Sequence, residues 1–156
     1  MRDIDRLLDE YGASHVHPTN KRIHWVCVPV IVWTVVALLW VLPFPAAMTL
    51  GAMPLNWAVI GLALAQIYYF RLSVRLGLGI LLFNLLLLWL TAVIEVTSPW
   101  PLWQVAAVVF VLAWIGQFIG HAIEGQRPSF FKDLQFLLIG PAWLMSWVYQ
   151  HLRMAY

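Results

Sequence analysis

Residues 23–42, IHWVCVPVIVWTVVALLWVL, contain no Asp, Glu, Lys or Arg and are long enough to cross a lipid bilayer as one helix. Four more apolar runs follow along the chain, at residues 55–70, 76–96, 102–119 and 134–148. The second and fifth runs are short, and the fifth contains Gly140-Pro141, which should kink or interrupt a helix. We therefore predict an all-α polytopic membrane bundle with four to five transmembrane helices.

The whole chain has the composition of a membrane protein. Of its 156 residues, 63% are apolar and only 10% are charged, and the mean hydropathy is +0.83. Soluble domains carry about 25% charged residues, so this chain has too few to cover a water-facing surface. A soluble enzyme is therefore excluded, and the formal net charge of +2 gives no reason to expect a nucleic-acid partner. We predict one integral membrane domain over residues 1–156.

Two parts of this domain differ in polarity. Residues 1–22 form a polar head that holds half of the charged residues, and residues 23–149 form the transmembrane bundle. Within the head, apolar residues recur at helical spacing: Ile4, Leu7, Leu8 and Tyr11. This spacing predicts a short N-terminal amphipathic helix at the membrane surface, ending near Gly12.

Eight of the nine basic residues fall on one side of the predicted bundle. They precede the first run or join the second to the third and the fourth to the fifth: Arg2, Arg6, Lys21, Arg22, Arg71, Arg75, Arg127 and Lys132. The positive-inside rule places this side and the N-terminus in the cytoplasm. Arg153 alone falls outside the pattern. Either the fifth run crosses the membrane, or it re-enters at the Gly-Pro break, and the sequence leaves both open.

Four of the five histidines lie on the same predicted face: His15, His17, His24 and His121. Asn20 and His24 are four residues apart, so they share a helix face. Gln117, His121 and Glu124 share another. Histidine is a common ligand of iron, copper, nickel and zinc, so the cluster predicts a metal site on the cytoplasmic side. The competing interpretations are a proton relay and a polar contact between helix ends.

Two blocks of these residues resemble the signatures of the Mpo1-like (DUF962) membrane proteins. The first block is Tyr11, His15, Asn20, His24 and Pro29, and the second is Gly120-His121, Glu124, Pro128 and Gly140-Pro141. The blocks lie at opposite ends of the chain, so the resemblance covers nearly all of it. It implies an Fe(II)-dependent dioxygenase that uses O2 to remove one carbon from 2-hydroxy long-chain fatty acids, a reaction of fatty acid α-oxidation.

The resemblance also implies roles for individual residues. His15, His24 and His121 would be iron ligands or essential metal-site residues, with Asn20 and Glu124 supporting them. His17 is a fourth candidate ligand by position. Arg127 flanks the expected site and is our candidate partner for the substrate carboxylate, with Tyr11 as a second substrate-binding residue.

A different class of function is a non-enzymatic membrane protein, either a small transporter or an assembly protein. Its histidines would serve as a proton relay or as a structural contact. A transporter should carry ionisable residues at mid-membrane depth, whereas the centres of the apolar runs are nearly free of charge. The sequence therefore favours the enzyme.

Overall fold

The computed structural model describes residues 2–13, 15–45, 49–50, 53–125 and 137–156. Within them the chain forms six helices: α1 (Asp3–Ala13), α2 (Pro18–Val41), α3 (Trp57–Leu72), α4 (Val74–Thr97), α5 (Leu102–Glu124) and α6 (Ile139–His151). A two-residue antiparallel pairing, β1 (Thr49–Leu50) with β2 (Met53–Pro54), lies between α2 and α3. The predicted all-α class is confirmed.

Three of these helices, α2, α4 and α5, are long and apolar enough to cross a membrane. They have 24, 24 and 23 residues, or about 35 Å each at about 1.5 Å per residue, against a hydrocarbon core of about 30 Å. Helix α3 is a shorter apolar helix of 16 residues. Helix α6 has 13 residues and spans about 20 Å, which is too short to cross alone. The helices are thus consistent with a membrane bundle.

Local signals set the ends of α2 and α5. Pro18 begins α2, where the fixed φ of proline suits the first helical turn. The Nδ1 atom of His17 accepts a hydrogen bond from the backbone N–H of Thr19 at 3.1 Å and caps this helix. Helix α5 ends at Glu124. The next residue, Gly125, adopts a left-handed φ of 73°, which glycine tolerates. The two helices pack along each other, so the start of α2 lies beside the end of α5.

The predicted amphipathic helix forms as α1, but protein covers its apolar stripe. Ile4, Leu8 and Tyr11 are 0%, 6% and 5% exposed, respectively. They pack in one cluster with residues of α3, α4 and α6, among them Ile80 and Ile139. The apolar stripe of α1 is therefore not exposed to lipid, because α6 covers it. Helix α1 closes one end of the bundle.

The C-terminal tail lies at this same end. The guanidinium of Arg2 donates a hydrogen bond to the backbone carbonyl of Tyr156, and Arg75 donates one to the carbonyl of Ala155 at 3.3 Å. The hydroxyl of Tyr149 donates to the carbonyl of Arg75 at 2.7 Å. The chain therefore leaves α5 and finishes at one end of the bundle, which favours re-entry of the fifth run over a full crossing. Arg153 therefore lies at the same end of the bundle as the other basic residues that the structure describes.

Candidate metal centre

Three buried histidines from three segments meet beside α1. His15 lies in the linker between α1 and α2, His24 in the second turn of α2, and His121 in the last turn of α5. Their side chains are 3%, 2% and 7% exposed, and their ligand nitrogens all lie within 4.8 Å of one another. Nitrogens more than about 10 Å apart could not share an ion that each binds at about 2 Å. The observed spacing places these three histidines in one group that could hold a metal ion.

Backbone carbonyls orient two of the three rings. The Nδ1 atom of His15 donates to the carbonyl of Tyr11 at 2.7 Å, and that of His24 donates to the carbonyl of Asn20 at 3.0 Å. A carbonyl only accepts, so each Nδ1 carries the proton and each Nε2 keeps its lone pair. Metal-binding histidines are usually held in this way, with one nitrogen bonded to an acceptor and the other facing the metal. The donor set therefore fits a metal ion.

Aromatic rings surround His15. The ring of Tyr11 stacks on it with centroids 4.3 Å apart, and the ring of Trp143 lies 5.9 Å away. On the other side, the ring of His24 makes an edge contact at 4.3 Å. Burial lowers the pKa of His15 below its ordinary value, and the hydrogen bond to Tyr11 opposes this shift only in part. Burial thus favours the neutral imidazole, which is the form that binds metals.

Asn20 and Glu124 join α2 to α5 beside the histidines. The amide of Asn20 donates to Glu124 Oε2 at 2.8 Å. The backbone N–H groups of Val16 and His17 donate to Glu124 Oε1 at 2.9 and 3.0 Å. One carboxylate therefore binds the linker that carries His15, the first turns of α2 and the end of α5. Its contacts are those of a residue that positions the histidines.

Two glycines on α5 permit the close approach of α2 and α5. A Cβ atom at Gly120 would collide with Asn20 Oδ1, and one at Gly116 would lie 2.7 Å from Cys27 Sγ. Glycine at these two positions lets α2 and α5 come together in the turns next to His121. The distance between His24 and His121 depends on this packing.

One predicted ligand, His17, is not brought to the group. His17 is exposed, and its Nδ1 atom is engaged in capping α2. The structure thus separates it from the three buried histidines, because the chain turns into α2 at this residue and the ring points to the surface. Arg127 lies outside the described residues. Tyr11 does reach the site, where it stacks on His15 and lines the same cavity.

The three histidines line a cavity of about 40 Å³ together with Tyr11, Trp114 and Gln117. We assigned no role to Gln117 from the sequence, although its place one turn before His121 on α5 was the available signal. Its side chain is 7% exposed, and no described group donates a hydrogen bond to its Oε1 atom. The contact of Trp143 with His15 had no sequence signal, since it depends on how α6 folds back. Helical spacing thus placed Gln117 on the face of His121, but only the structure shows that it lines the cavity.

Two larger apolar cavities adjoin this small one. A cavity of about 150 Å³ lies among α2, α3 and α4 and shares Leu137 with the histidine cavity. A cavity of about 190 Å³ lies among α2, α4 and α6 and shares Val28 with it. The side chains that line the 190 Å³ cavity include Leu144 and Val148, and all of them are apolar or aromatic. Space for a hydrocarbon chain therefore lies next to the three histidines.

The fold and the site together define a class, a membrane helical bundle with a buried three-histidine centre at one end. The family described as 2-hydroxy-palmitic acid dioxygenase Mpo1-like matches residues 1–152, and the chain belongs to this Mpo1-like family. The resemblance of the two sequence blocks is thereby confirmed. Neither a curated protein nor a solved structure matches the chain.

Proposed function

We propose that this protein is an Fe(II)-dependent membrane dioxygenase that shortens 2-hydroxy fatty acids by one carbon. The family description supports the substrate class and the type of reaction. The observation that carries the proposal is the buried group of His15, His24 and His121, whose ligand nitrogens lie within 4.8 Å of one another. Imidazole ligands suit iron, and three of them leave open positions for substrate and O2.

In this proposal the three histidines hold the ion, and the rest of the site positions them. Bound there, Fe(II) would bind substrate and O2 and carry electrons between them. The carbonyls of Tyr11 and Asn20 hold two of the rings in the ligating tautomer. Glu124 fixes the linker that carries His15. Arg127 remains the predicted partner of the substrate carboxylate, and Tyr11 the second predicted substrate contact.

The proposed reaction balances with a shortened acid, CO2 and water as its products. The bond between C1 and C2 breaks, C2 is oxidised from an alcohol to a carboxyl group, and C1 is oxidised from a carboxyl group to CO2. These changes release three electrons and one electron, respectively, and one O2 accepts all four. The shortened acid, CO2 and water then account for every atom, and no external reductant is required.

The apolar cavities explain why such an enzyme lies in a membrane. The alkyl tail of the substrate is already dissolved in lipid, where each methylene contributes about 0.8 kcal/mol. A tail in the 190 Å³ cavity that shares Val28 with the histidine cavity stays out of water while the polar end meets the metal. The buried centre also excludes bulk water from the reacting atoms.

The described polar groups inside the helices weigh against the transporter alternative. Gln66 of α3 and Asn84 of α4 are buried amides that hydrogen-bond to each other at 3.1 Å. Amides do not titrate, so this pair does not extend a proton path from the histidines into the bundle. The histidines themselves lie at one end, beside α1.

Metal analysis combined with oxygen uptake tests the proposal. Protein purified in detergent and loaded with Fe(II) under argon should hold about one iron per chain and consume O2 when 2-hydroxypalmitate is added. His24→Ala should lose both properties. His151→Ala is the matched control, since His151 is exposed, stacks on Trp147 and is not one of the three grouped histidines. A wild-type protein that holds no iron and consumes no O2 would contradict the proposal.

A further inference from the structure

The side chain of Gln117 has an acceptor that the protein leaves without a donor. The residue lies on α5 one turn before His121, is 7% exposed, and lines the cavity of the three histidines. Among the described residues, nothing donates to its Oε1 atom. A buried acceptor without a partner costs free energy, so this atom calls for a donor from outside the described chain, either a water or a ligand in the cavity.

Asn20 provides a comparison within the same site. Its Oδ1 atom is also buried without a donor among the described residues, but it is packed against Gly120. No ligand could reach an atom in that position without separating α2 from α5. Gln117 differs because its side chain forms part of a cavity wall.

The substrate of the proposed function contains one suitable donor, and this step rests on that function. An ionised carboxylate only accepts hydrogen bonds, and an alkyl chain neither donates nor accepts. The hydroxyl on the carbon next to the carboxylate is thus the group of a 2-hydroxy acid that can donate to Gln117 Oε1.

We propose that Gln117 binds the 2-hydroxyl group of the substrate and selects 2-hydroxy acids over unsubstituted fatty acids. An unsubstituted acid would bury the Oε1 atom with no donor. Sites built to bind a hydroxyl discriminate strongly against the analogue that lacks it, because the buried polar group then stays unpaired. Gln117 is therefore a specificity residue that contacts the substrate beside the ligand His121.

Binding measurements test the selection apart from turnover. Radiolabelled 2-hydroxypalmitate is bound to the full chain in detergent, both metal-free and loaded with Fe(II) under argon, and unlabelled acids compete for it. Wild type should prefer 2-hydroxypalmitate to palmitate by about 10-fold or more. Gln117→Met, which keeps the length of the side chain and removes the acceptor, should bring this ratio close to one. Phe118→Met is the matched control, since Phe118 is the next residue and is 48% exposed.

A second measurement leaves the protein unchanged, in case Gln117→Met does not fold. In 2-fluoropalmitate a fluorine replaces the hydroxyl, so the ligand has no donor at this carbon. Wild type should bind it as weakly as palmitate. Equal affinity for 2-fluoropalmitate and 2-hydroxypalmitate, or an unchanged ratio in Gln117→Met, would overturn the role of Gln117. Iron content and oxygen uptake report separately on the proposed function, so either idea can fail alone.

Discussion

The amide of Asn20 on α2 donates a 2.8 Å hydrogen bond to the carboxylate of Glu124 on α5. This contact lies beside the histidines that the two helices carry, and the same carboxylate accepts bonds from the backbone of Val16 and His17. The Glu124 carboxylate thus ties together the two helices and the linker that carry the three histidines.

Removal of the Glu124 carboxylate should weaken metal binding. In Glu124→Ala the linker that carries His15 loses its acceptor, and we expect about 10- to 100-fold weaker iron affinity, the usual effect of losing a group that orients metal ligands. Glu124→Gln keeps one acceptor oxygen and should lose less. Competition with a chelator, followed by metal analysis, measures the change.

The control for Glu124 is an acid at the other end of the bundle. Glu95 accepts a hydrogen bond from Trp40 Nε1 at 2.7 Å and contacts none of the histidines described here. Glu95→Gln should leave the iron affinity unchanged. Equal losses of iron affinity in the variants at residues 95 and 124 would mean that Glu124 has no special role at the site.

The close approach of α2 and α5 predicts a large effect of one methyl group. In Gly120→Ala the new Cβ would collide with Asn20 Oδ1, so the helices must separate. We expect a destabilisation of about 1–3 kcal/mol, typical of overpacking, together with weaker iron binding. Gly61→Ala is the control, because a Cβ there would meet Leu39 at 3.5 Å, an ordinary contact. Thermal unfolding in detergent compares the two, and equal midpoints would contradict the prediction.

The wholly apolar cavity of about 190 Å³ should hold the alkyl chain. Val148→Phe fills part of it and should lower kcat/KM for 2-hydroxypalmitate by about 10-fold, while 2-hydroxyoctanoate, with a shorter tail, is turned over as before. Gly61→Leu fills part of the 150 Å³ cavity instead and serves as the control. If Gly61→Leu lowers kcat/KM for 2-hydroxypalmitate relative to 2-hydroxyoctanoate more than Val148→Phe does, the tail lies in the other cavity.

The electron balance predicts the fate of the carboxyl carbon. With substrate labelled with ¹³C at C1, the label should appear in CO2, with one CO2 and one shortened acid formed for each O2 consumed. Mass spectrometry of the gas phase and of the extracted acids measures both. Label recovered as formate would show that the reaction takes only two electrons from the substrate and that our balance is wrong.

Both ends of the described chain should be accessible from one side of the membrane. The contacts of Arg2 with Tyr156 and of Arg75 with Ala155 require this. In a Cys27→Ser background, Asp9→Cys and Arg153→Cys should react with an impermeant thiol reagent from the same face of sealed vesicles. Ser98→Cys, between α4 and α5, should react from the opposite face. Labelling of residues 9 and 153 from different faces would show instead that the fifth run crosses the membrane fully.

Much of the site was predictable because its signals are local. The spacing of Asn20 and His24 places both on one face of α2, and the 3.6-residue period does the same for Gln117 and His121 on α5. The family resemblance pointed to His15, His24 and His121, a choice that helical period alone does not make. His17 lies two residues from His15, yet it caps α2 at the surface while His15 is buried against Tyr11.

The sequence by itself determined the class of fold, the apolar runs, the amphipathic stripe of α1 and the set of candidate ligands. These properties follow from the order of residues along one helix, because hydropathy and helical period are read from neighbours. Tertiary structure alone decided that the three histidines meet, that Glu124 binds the linker, that α6 covers α1, and that apolar cavities adjoin the site. Each of these is a distance between segments far apart in the chain, and such distances depend on how whole helices pack.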